Sequence, residues 1–222
     1  LRRSGLPAAY SKGYHPHPLL KFGPPLPVGV VGMRECLDIA MEHQVPGWID
    51  EINRTLPAGL KILRSVVVGG QTPQSIDHAV TRFDYRVDIP GSDDGGPATA
   101  EVAAALDAFL ASETWPIIKR RPKGDIEIDA RSLVLAGGIG LENEPTDGYA
   151  TRLRFSLMRS KTGAILSVHD FLTALLGDAL PEPGYCAAAR TGYYGRHIDG
   201  RWLSPIEEVG ESSHRYWMGR HL

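Results

Sequence analysis

Cysteine is scarce in this sequence: Cys36 and Cys186 are the only two among 222 residues. Because neither has a second cysteine nearby, the sequence argues against a zinc or iron–sulfur site ligated by cysteines of this chain. A chain of this length also buries enough apolar surface to fold without disulfides. Low cysteine usage is typical of a reducing compartment, so we expect a cytoplasmic protein.

Long apolar runs and an excess of charge of either sign are also lacking. No run approaches the roughly 20 apolar residues that cross a bilayer, and no signal peptide opens the sequence, so we expect no membrane partner. The 24 Lys and Arg residues nearly balance the 26 Asp and Glu residues, which leaves a net charge of −2. The chain as a whole therefore does not attract nucleic acid, and a nucleic-acid partner would need a local basic patch.

Apolar periodicity predicts two blocks of mixed structure. Residues 71–192 are predicted to follow the order strand, helix, strand, strand, helix, strand with one additional hairpin, which is the order of a ferredoxin-like α+β sandwich. Residues 1–70 are predicted to match the second half of such a unit, with strands at 35–42 and 60–68 around a helix that follows Pro46. We therefore predict an α+β fold of two ferredoxin-like halves with antiparallel sheets.

The two ends of the chain complete this division. Residues 1–7 have the composition of the last turn of a helix, so we expect the N-terminal element to be truncated. Residues 193–222 show weak periodicity and are predicted to form a C-terminal arm. The predicted units are thus a first half at 1–70, a second half at 71–192 and the C-terminal arm.

The most unusual stretch, from Tyr10 to Pro18, combines aromatic, basic and imidazole side chains with proline, and Lys21 follows it. His15 and His17 project to the same side of an extended backbone, a geometry that two metal ligands can use, but the sequence indicates no third ligand. Three interpretations stay open: a rigid loop whose rings pack against the sheet, which the sequence favours, a surface that contacts RNA or another anion, and a metal site. The candidate RNA-binding residues here are Tyr10, Lys12, Tyr14, His15, His17 and Lys21.

A second set of cations lies on the predicted strands of the second half. If those strands are neighbours, the cations gather along one groove and supply the phosphate-neutralising footprint that the net charge lacks. Alternatively, Asp125, Glu127 and Asp129, which alternate on one predicted strand face, cancel this charge in exposed ion pairs. The candidate residues are Lys119, Arg120, Arg121, Lys123, Arg152 and Arg154.

A glycine-rich run includes Gly137, Gly138 and Gly140. It lacks the Lys-Ser/Thr pair of a P-loop and the strand-to-helix setting of a dinucleotide fingerprint. We therefore predict a β-bulge or turn at this position rather than a nucleotide site.

Several motifs of the first 60 residues resemble one protein family. They are Arg-Arg-Ser-Gly-Leu-Pro at 2–7, Ala-Tyr-Ser-Lys-Gly-Tyr-His-Pro-His-Pro at 9–18, Phe-Gly-Pro-Pro-Leu-Pro-Val-Gly at 22–29, Glu35, and Leu-Pro-Ala-Gly-Leu at 56–60. These motifs resemble the radical-SAM-linked protein family, the domain of unknown function also numbered 2344, and residues 123–129 match it loosely. The resemblance implies a domain encoded beside, or fused to, a cobalamin-binding radical SAM protein, with no established activity of its own.

The resemblance also implies that cofactor chemistry belongs to the partner. The radical SAM cysteine motif is absent from this chain, so the iron–sulfur cluster, the SAM and, where bound, the cobalamin would be carried by the radical SAM protein, in trans or fused. The sequence assigns no catalytic residue, and we expect no activity from this chain alone. Our leading hypothesis is a non-catalytic recognition or adaptor domain that presents structured RNA to that partner.

Two other hypotheses stay open. The first is a metal-dependent hydrolase or nucleotide-modifying enzyme that uses His15 and His17. The second is a scaffold that stabilises the radical SAM partner. Metal analysis of variants of the two histidines separates the first from an adaptor, and co-purification of the partner with and without RNA separates the second.

Overall fold

The computed structural model describes residues 2–67, 75–119, 124–142, 145–161, 163–180 and 186–207. Its strands are β1 (Leu20–Phe22), β2 (Val30–Gly32), β3 (Leu37–Ile39), β4 (Arg82–Ile89), β5 (Pro116–Lys119), β6 (Ile126–Asp129), β7 (Val134–Glu142), β8 (Thr151–Met158), β9 (Ala187–Arg196) and β10 (Trp202–Leu203). Its α-helices are α1 (Trp48–Thr55), α2 (Ile76–Ala79), α3 (Thr99–Ala111) and α4 (Val168–Leu176). Within these ranges, no helix has the length and apolar character needed to cross a bilayer.

The main sheet has six strands and is centred on β4. Four of its strands are antiparallel neighbours in the order β7-β8-β4-β9. The end of β9 pairs antiparallel with β10, and its beginning, from Ala188 to Arg190, pairs parallel with β2. The strand pairs β1-β3 and β5-β6 form two separate small sheets.

One face of the main sheet is apolar because β4 and β8 alternate in matching register. The buried residues on this face include Phe83, Tyr85, Val87, Leu153, Phe155 and Leu157. Helices α3 and α4 cover it, and the Phe171 ring of α4 lies 4.7 Å from the ring of Phe155 and 5.5 Å from that of Phe109. Because successive strand side chains point to opposite faces, Arg86 and Arg154 lie on the other face, which the two helices leave open.

The predicted mixed α+β architecture with antiparallel pairing is confirmed. Strands β4 and β8 and helices α3 and α4 form where the apolar period predicts them, and the predicted hairpin forms β5 and β6. Helix α4 begins after Ser167, whose hydroxyl accepts a hydrogen bond from the backbone N–H of Asp170 at 3.0 Å. The glycine-rich run lies in β7, at a break in its register with β8, as predicted for a bulge.

The first 67 residues differ from their prediction. Strands β1 and β2 form outside the strands predicted at 35–42 and 60–68, and residues 60–67 form no strand. The reason lies in Ile62, whose backbone N–H and carbonyl bond to the side chain of Asn53 at 2.8 and 3.0 Å instead of to a neighbouring strand. Strand β2 joins the main sheet, so no separate four-stranded sheet forms in the described part of residues 1–70.

The predicted unit boundaries stay predictions. Residues 68–74, at the first boundary, lie outside the described residues. At the second, β9 runs without interruption across positions 192 and 193, and β10 pairs with its end at Gly195 and Arg196. The first residues of the predicted C-terminal arm are therefore part of the main sheet, and residues 208–222 lie outside the described ranges.

Candidate functional site

The aromatic segment, which we define as residues 10–22, begins with a closed loop. The backbone N–H of Ser11 donates to the carbonyl of His17 at 2.8 Å. The backbone N–H of His17 donates in turn to the hydroxyl of Ser11 at 3.0 Å. Tyr10 and Pro18 pair next to these bonds in an isolated antiparallel bridge. The loop of residues 11–17 is thereby fixed at its base.

The side chains of this loop lie in solvent. Tyr14 is 94% exposed, and its only ring contact within the described residues is the edge of His15, with the ring centres 4.9 Å apart. Lys12, His15 and His17 are also exposed, and Tyr10 is 40% exposed. The rings of the loop are therefore not packed against the sheet, contrary to the interpretation that the sequence favours.

The aromatic segment ends in β1, where two further side chains are exposed. Lys21 lies directly opposite Asp38 of β3, so part of its charge is offset across the strand pair. Phe22 is 65% exposed. Phe22 is not among the candidate residues predicted from the sequence. The sequence indicates only that Phe22 and Lys21 point to opposite faces of a strand formed there.

A cradle of residues 23–36 follows the aromatic segment and contacts β9. The N–H of Gly23 donates to the carbonyl of Cys36 at 3.1 Å, and the N–H of Cys36 donates to the hydroxyl of Tyr193. A Cβ atom on Gly23 would lie 2.6 Å from the Tyr193 oxygen, so only glycine fits this contact. Burial raises the pKa of the Tyr193 phenol, which therefore remains a neutral hydrogen-bonding group.

The cradle encloses the side chain of Arg190, which is only 1% exposed. Its guanidinium donates to the carbonyls of Pro24 and Pro25 at 2.8 and 3.2 Å and to both carboxylate oxygens of Glu35. Burial alone would lower the pKa of this arginine, but the bonds and charge of Glu35 outweigh burial and raise it. The Gly-Pro-Pro-Leu-Pro part of the N-terminal motif therefore has a structural role.

The predicted basic patch is only partly assembled. Arg152 and Arg154 share the open face of β8, as predicted. Lys119 lies apart from them, because β5 packs near α4 and the Lys119 ammonium pairs with Asp170 at 3.1 Å on the helix-covered side. This bond, together with Ser167, outweighs burial and lowers the pKa of Asp170. Arg120, Arg121 and Lys123 lie outside the described residues.

The acids that the sequence predicts to pair with this patch, Asp125, Glu127 and Asp129, do not lie on β8 or bond to its arginines in the described structure. The carboxylate of Asp129 accepts hydrogen bonds from the backbone N–H groups of Trp115 and Arg131 at 2.8 and 3.0 Å, so it fixes the turn after β6. Asp125 and Glu127 are exposed on the β5-β6 hairpin. Other carboxylates neutralise the open face: Asp88 accepts from Arg152 at 2.6 and 3.2 Å.

Asp88 is 2% exposed and accepts a further bond from the Thr146 hydroxyl at 2.7 Å. Burial alone would raise the pKa of its carboxyl, but the bonds from Arg152 and Thr146 outweigh burial and hold that pKa below its ordinary value. Asp88 is therefore a charged, structurally committed group.

A groove of about 490 Å³ opens on the same face, and we call it the sheet-face groove. Its lining includes Arg82, Asp84, Arg86, Gly137, Gly138, Glu142, Arg154 and Ser156. Of the candidate residues that the structure describes, only Arg154 lines it. Arg82 and Arg86 were missed, although their alternation with the apolar residues of β4 already placed them on a polar strand face.

Neither a metal nor a nucleophilic thiol has a site in the described part of the chain. No three His, Cys, Asp or Glu side chains there are grouped to hold a metal ion, so His15 and His17 have no third partner. Burial raises the pKa of the Cys36 thiol, and it raises that of Cys186 to about 11. In the metal-free protein both thiols are therefore protonated at neutral pH.

Comparison with known proteins gives a family but no activity. Residues 1–165 match the family described as "Uncharacterized protein conserved in bacteria (DUF2344)". No curated protein and no solved structure matches the chain. The matched range contains the aromatic segment, the cradle and most of the sheet-face groove, whereas Arg190 and Tyr193 lie beyond it. The chain therefore belongs to this family of uncharacterized bacterial proteins.

Proposed function

We propose that this chain is a recognition domain without catalytic chemistry of its own, which binds structured RNA through the aromatic segment. The observation that carries the proposal is the closed loop of residues 11–17, which holds Tyr14 94% exposed beside His15 and Lys12. A tyrosine that is 94% exposed forgoes the free energy of burial, which favours a role in contact with a partner.

The side chains of the segment suit RNA for two chemical reasons. Exposed aromatic and imidazole rings stack on unpaired bases, and each such stack contributes roughly 1–3 kcal/mol. Lys12 adds a cation for the phosphate backbone, and Phe22 adds a second flat ring. Because the base of the loop is fixed by two bonds between Ser11 and His17, less conformational entropy is lost on binding.

We further propose that residues 82–196 form a ferredoxin-like unit. The elements β4-α3-β7-β8-α4-β9 and the antiparallel strand order β7-β8-β4-β9 support this assignment, with the β5-β6 hairpin as an insertion. The assignment is not extended to residues 1–70, because β2 belongs to the same sheet as β9. Sheets of this type with an open face support RNA binding in other proteins, which is an analogy at the level of the fold.

The partner in this proposal is a radical SAM protein, in trans or fused, as the sequence motifs imply. That protein would carry the iron–sulfur cluster, the SAM and, where bound, the cobalamin, and both chains would act in the cytoplasm. The chain has only two cysteines, too few to ligate an iron–sulfur cluster through its own thiolates, and this supports the assignment of the cofactors to the partner. The domain would then hold the RNA while the partner reacts with it.

The test is a filter-binding titration of the full chain with bulk transfer RNA at low and high salt. We expect Tyr14→Ala to weaken binding about fivefold or more, since one lost base stack accounts for that change. We expect Lys12→Gln to weaken binding and its salt dependence, whereas the exposed Leu63→Ala and Lys61→Gln serve as matched controls and leave both unchanged. Absence of RNA binding at low salt, or equal effects of Tyr14→Ala and Leu63→Ala, would refute the proposal.

The same protein and its variants also distinguish the proposed function from the two other functions predicted from the sequence. Stoichiometric metal that disappears in both His15→Ala and His17→Ala would support the metal-dependent enzyme instead. If the radical SAM partner co-purifies to the same extent with and without RNA, and also with Tyr14→Ala, the result would support the scaffold function. We expect neither result.

A further inference from the structure

We infer that the sheet-face groove binds the phosphate group of a small ligand between Arg86 and Arg154. The groove lies on the open face of the main sheet. The aromatic segment joins the sheet on the opposite, helix-covered face, where its neighbour Gly23 contacts Tyr193 of the core. The inferred site is therefore separate from the surface proposed for RNA.

The first observation is an opposition of like charges. Arg86 of β4 and Arg154 of β8 are direct cross-strand partners on the same face of an antiparallel pair. Their Cβ atoms are then about 5 Å apart, and two like charges in this position destabilise a sheet. Because local conflicts of this kind concentrate at functional sites, the pair points to a ligand whose negative charge resolves it.

The second observation is that the acids of this face are already committed. The carboxylate of Asp84 accepts two bonds from Arg82, at 2.8 and 2.9 Å, and a third from the Ser156 hydroxyl at 2.7 Å. Asp88 is likewise held by Arg152 and Thr146. Each of these carboxylates already accepts three hydrogen bonds, and among the described residues none of these bonds comes from Arg86.

The remaining positive charge lies in the groove. Within the described residues, no carboxylate is within ion-pairing distance of Arg86. Arg154 has Glu142 at 3.5 Å, with both side chains about half exposed, so this pair is weak. Within the described residues, the lining thus presents one guanidinium with no carboxylate bonded to it, which attracts Asp88 without an ion pair, and a second that is only loosely paired.

The third observation is the shape of the groove. Residues 135–138 of β7 bulge out opposite Ser156 and have no cross-strand partner. Gly137 has a φ of +70°, and a Cβ on Gly138 would come within 3.1 Å of the Ser156 Cβ. The bulge therefore forms one wall of the groove, and at its closest approach to Ser156 this wall is glycine backbone. The volume of about 490 Å³ is in the range that small-molecule ligands occupy.

The chemistry of the lining selects the class of ligand. Guanidinium groups donate paired N–H bonds to oxyanions, and two of them converge well on a doubly charged phosphate. Ser156 is buried and donates to Asp84, so it is not placed to attack a phosphorus atom. The groove is thus inferred to bind a phosphorylated small molecule without reacting with it.

The experiment is a calorimetric titration of the full chain with inorganic phosphate at constant ionic strength, with acetate as a singly charged comparison. We expect one saturable phosphate site, weaker binding of acetate, and a loss of phosphate affinity of about tenfold or more in Arg86→Gln and in Arg154→Gln. Arg54→Gln, which removes an exposed ion-paired arginine on α1, serves as the matched control and should bind phosphate normally. Phosphate binding that is absent, or equally strong in all three variants, would overturn the inference.

Two further measurements separate this site from misfolding and from RNA. Because Arg86→Gln relieves the like-charge opposition but also removes the attraction of Arg86 for Asp88, its melting temperature without phosphate should stay close to that of the parent protein. Tyr14→Ala should retain phosphate binding, and Arg86→Gln should retain RNA binding. A parallel loss of RNA and phosphate binding in Arg86→Gln would assign the groove to RNA and overturn the inference of a small ligand.

Discussion

The loop of residues 11–17 and the cradle of residues 23–36 lie close together in the sequence and both carry family-like motifs, but their surroundings are opposite. In the loop, Tyr14 is 94% exposed, and the hydrogen bonds at the base of the loop join Ser11 to His17. In the cradle, backbone carbonyls, Glu35 and Cys36 bind Arg190 and Tyr193 of β9. The N-terminal motif region therefore divides into a cradle that is fixed by contacts with β9 and a loop whose side chains are left exposed.

Removal of the Glu35 carboxylate should produce the largest effect. Glu35→Ala leaves the guanidinium of Arg190 buried without its counter-charge. Because the Glu35 side chain is itself 37% exposed, we expect a cost near the lower end of the roughly 3–5 kcal/mol that breaking a fully buried pair costs. Urea unfolding of the full chain measures the change. The control is Glu51→Ala, which breaks an exposed pair with Arg54 and should cost less than about 1 kcal/mol. Equal costs for the two variants would mean that the cradle is not anchored by this charge.

The alkylation rates of the two cysteines test the cradle without unfolding the whole chain. Burial raises the pKa of Cys186 to about 11 and also raises that of Cys36, so in the native state at pH 8 both carry little reactive thiolate. We expect alkylation of Cys186 to be about a hundredfold slower than in urea, as measured by mass spectrometry. Glu35→Ala should accelerate labelling of Cys36, whereas Tyr14→Ala should not. Fast native labelling of Cys36 in the parent protein would contradict a closed cradle.

A single methyl group tests the contact between the cradle and β9. Gly23→Ala places a Cβ 2.6 Å from the Tyr193 oxygen, and the overpacking should destabilise the fold by about 1–3 kcal/mol. In a double-mutant cycle, Tyr193→Phe removes the clashing atom, so the double variant should lose less stability than the sum of the single variants. If the two free-energy changes simply add, the effect of Gly23→Ala does not arise from a clash with the Tyr193 oxygen, and the proposed contact would be contradicted.

The contrast between the two parts explains what could be predicted from the sequence. Strands β4 and β8 and helices α3 and α4 each bury one face, so their apolar periods predict them. The cradle could not be predicted, because its partner Arg190 lies 155 residues beyond Glu35 in a stretch without a motif. For the same reason β2 was missed, since its partner is β9.

The sheet-face groove shows the same limit on predicting a site. Strand alternation predicts that Arg86 and Arg154 each point away from the core, but it does not say that β4 and β8 are neighbours in this register. The predicted basic patch accordingly combined Arg154 with Lys119, which lies on the other side of the sheet. Arg86, which the structure places beside Arg154, was left out.

Truncation of the exposed ring should have the smallest effect on stability. Tyr14→Ala removes a side chain whose only ring contact among the described residues is His15, so the free energy of unfolding should change by less than about 0.5 kcal/mol. Urea unfolding measures it beside Glu35→Ala. Combined with a loss of RNA affinity, an unchanged stability would mean that the ring serves a partner and not the fold. A cost comparable to that of Gly23→Ala would instead mean that the loop is part of the packed structure, and the distinction between loop and cradle would fail.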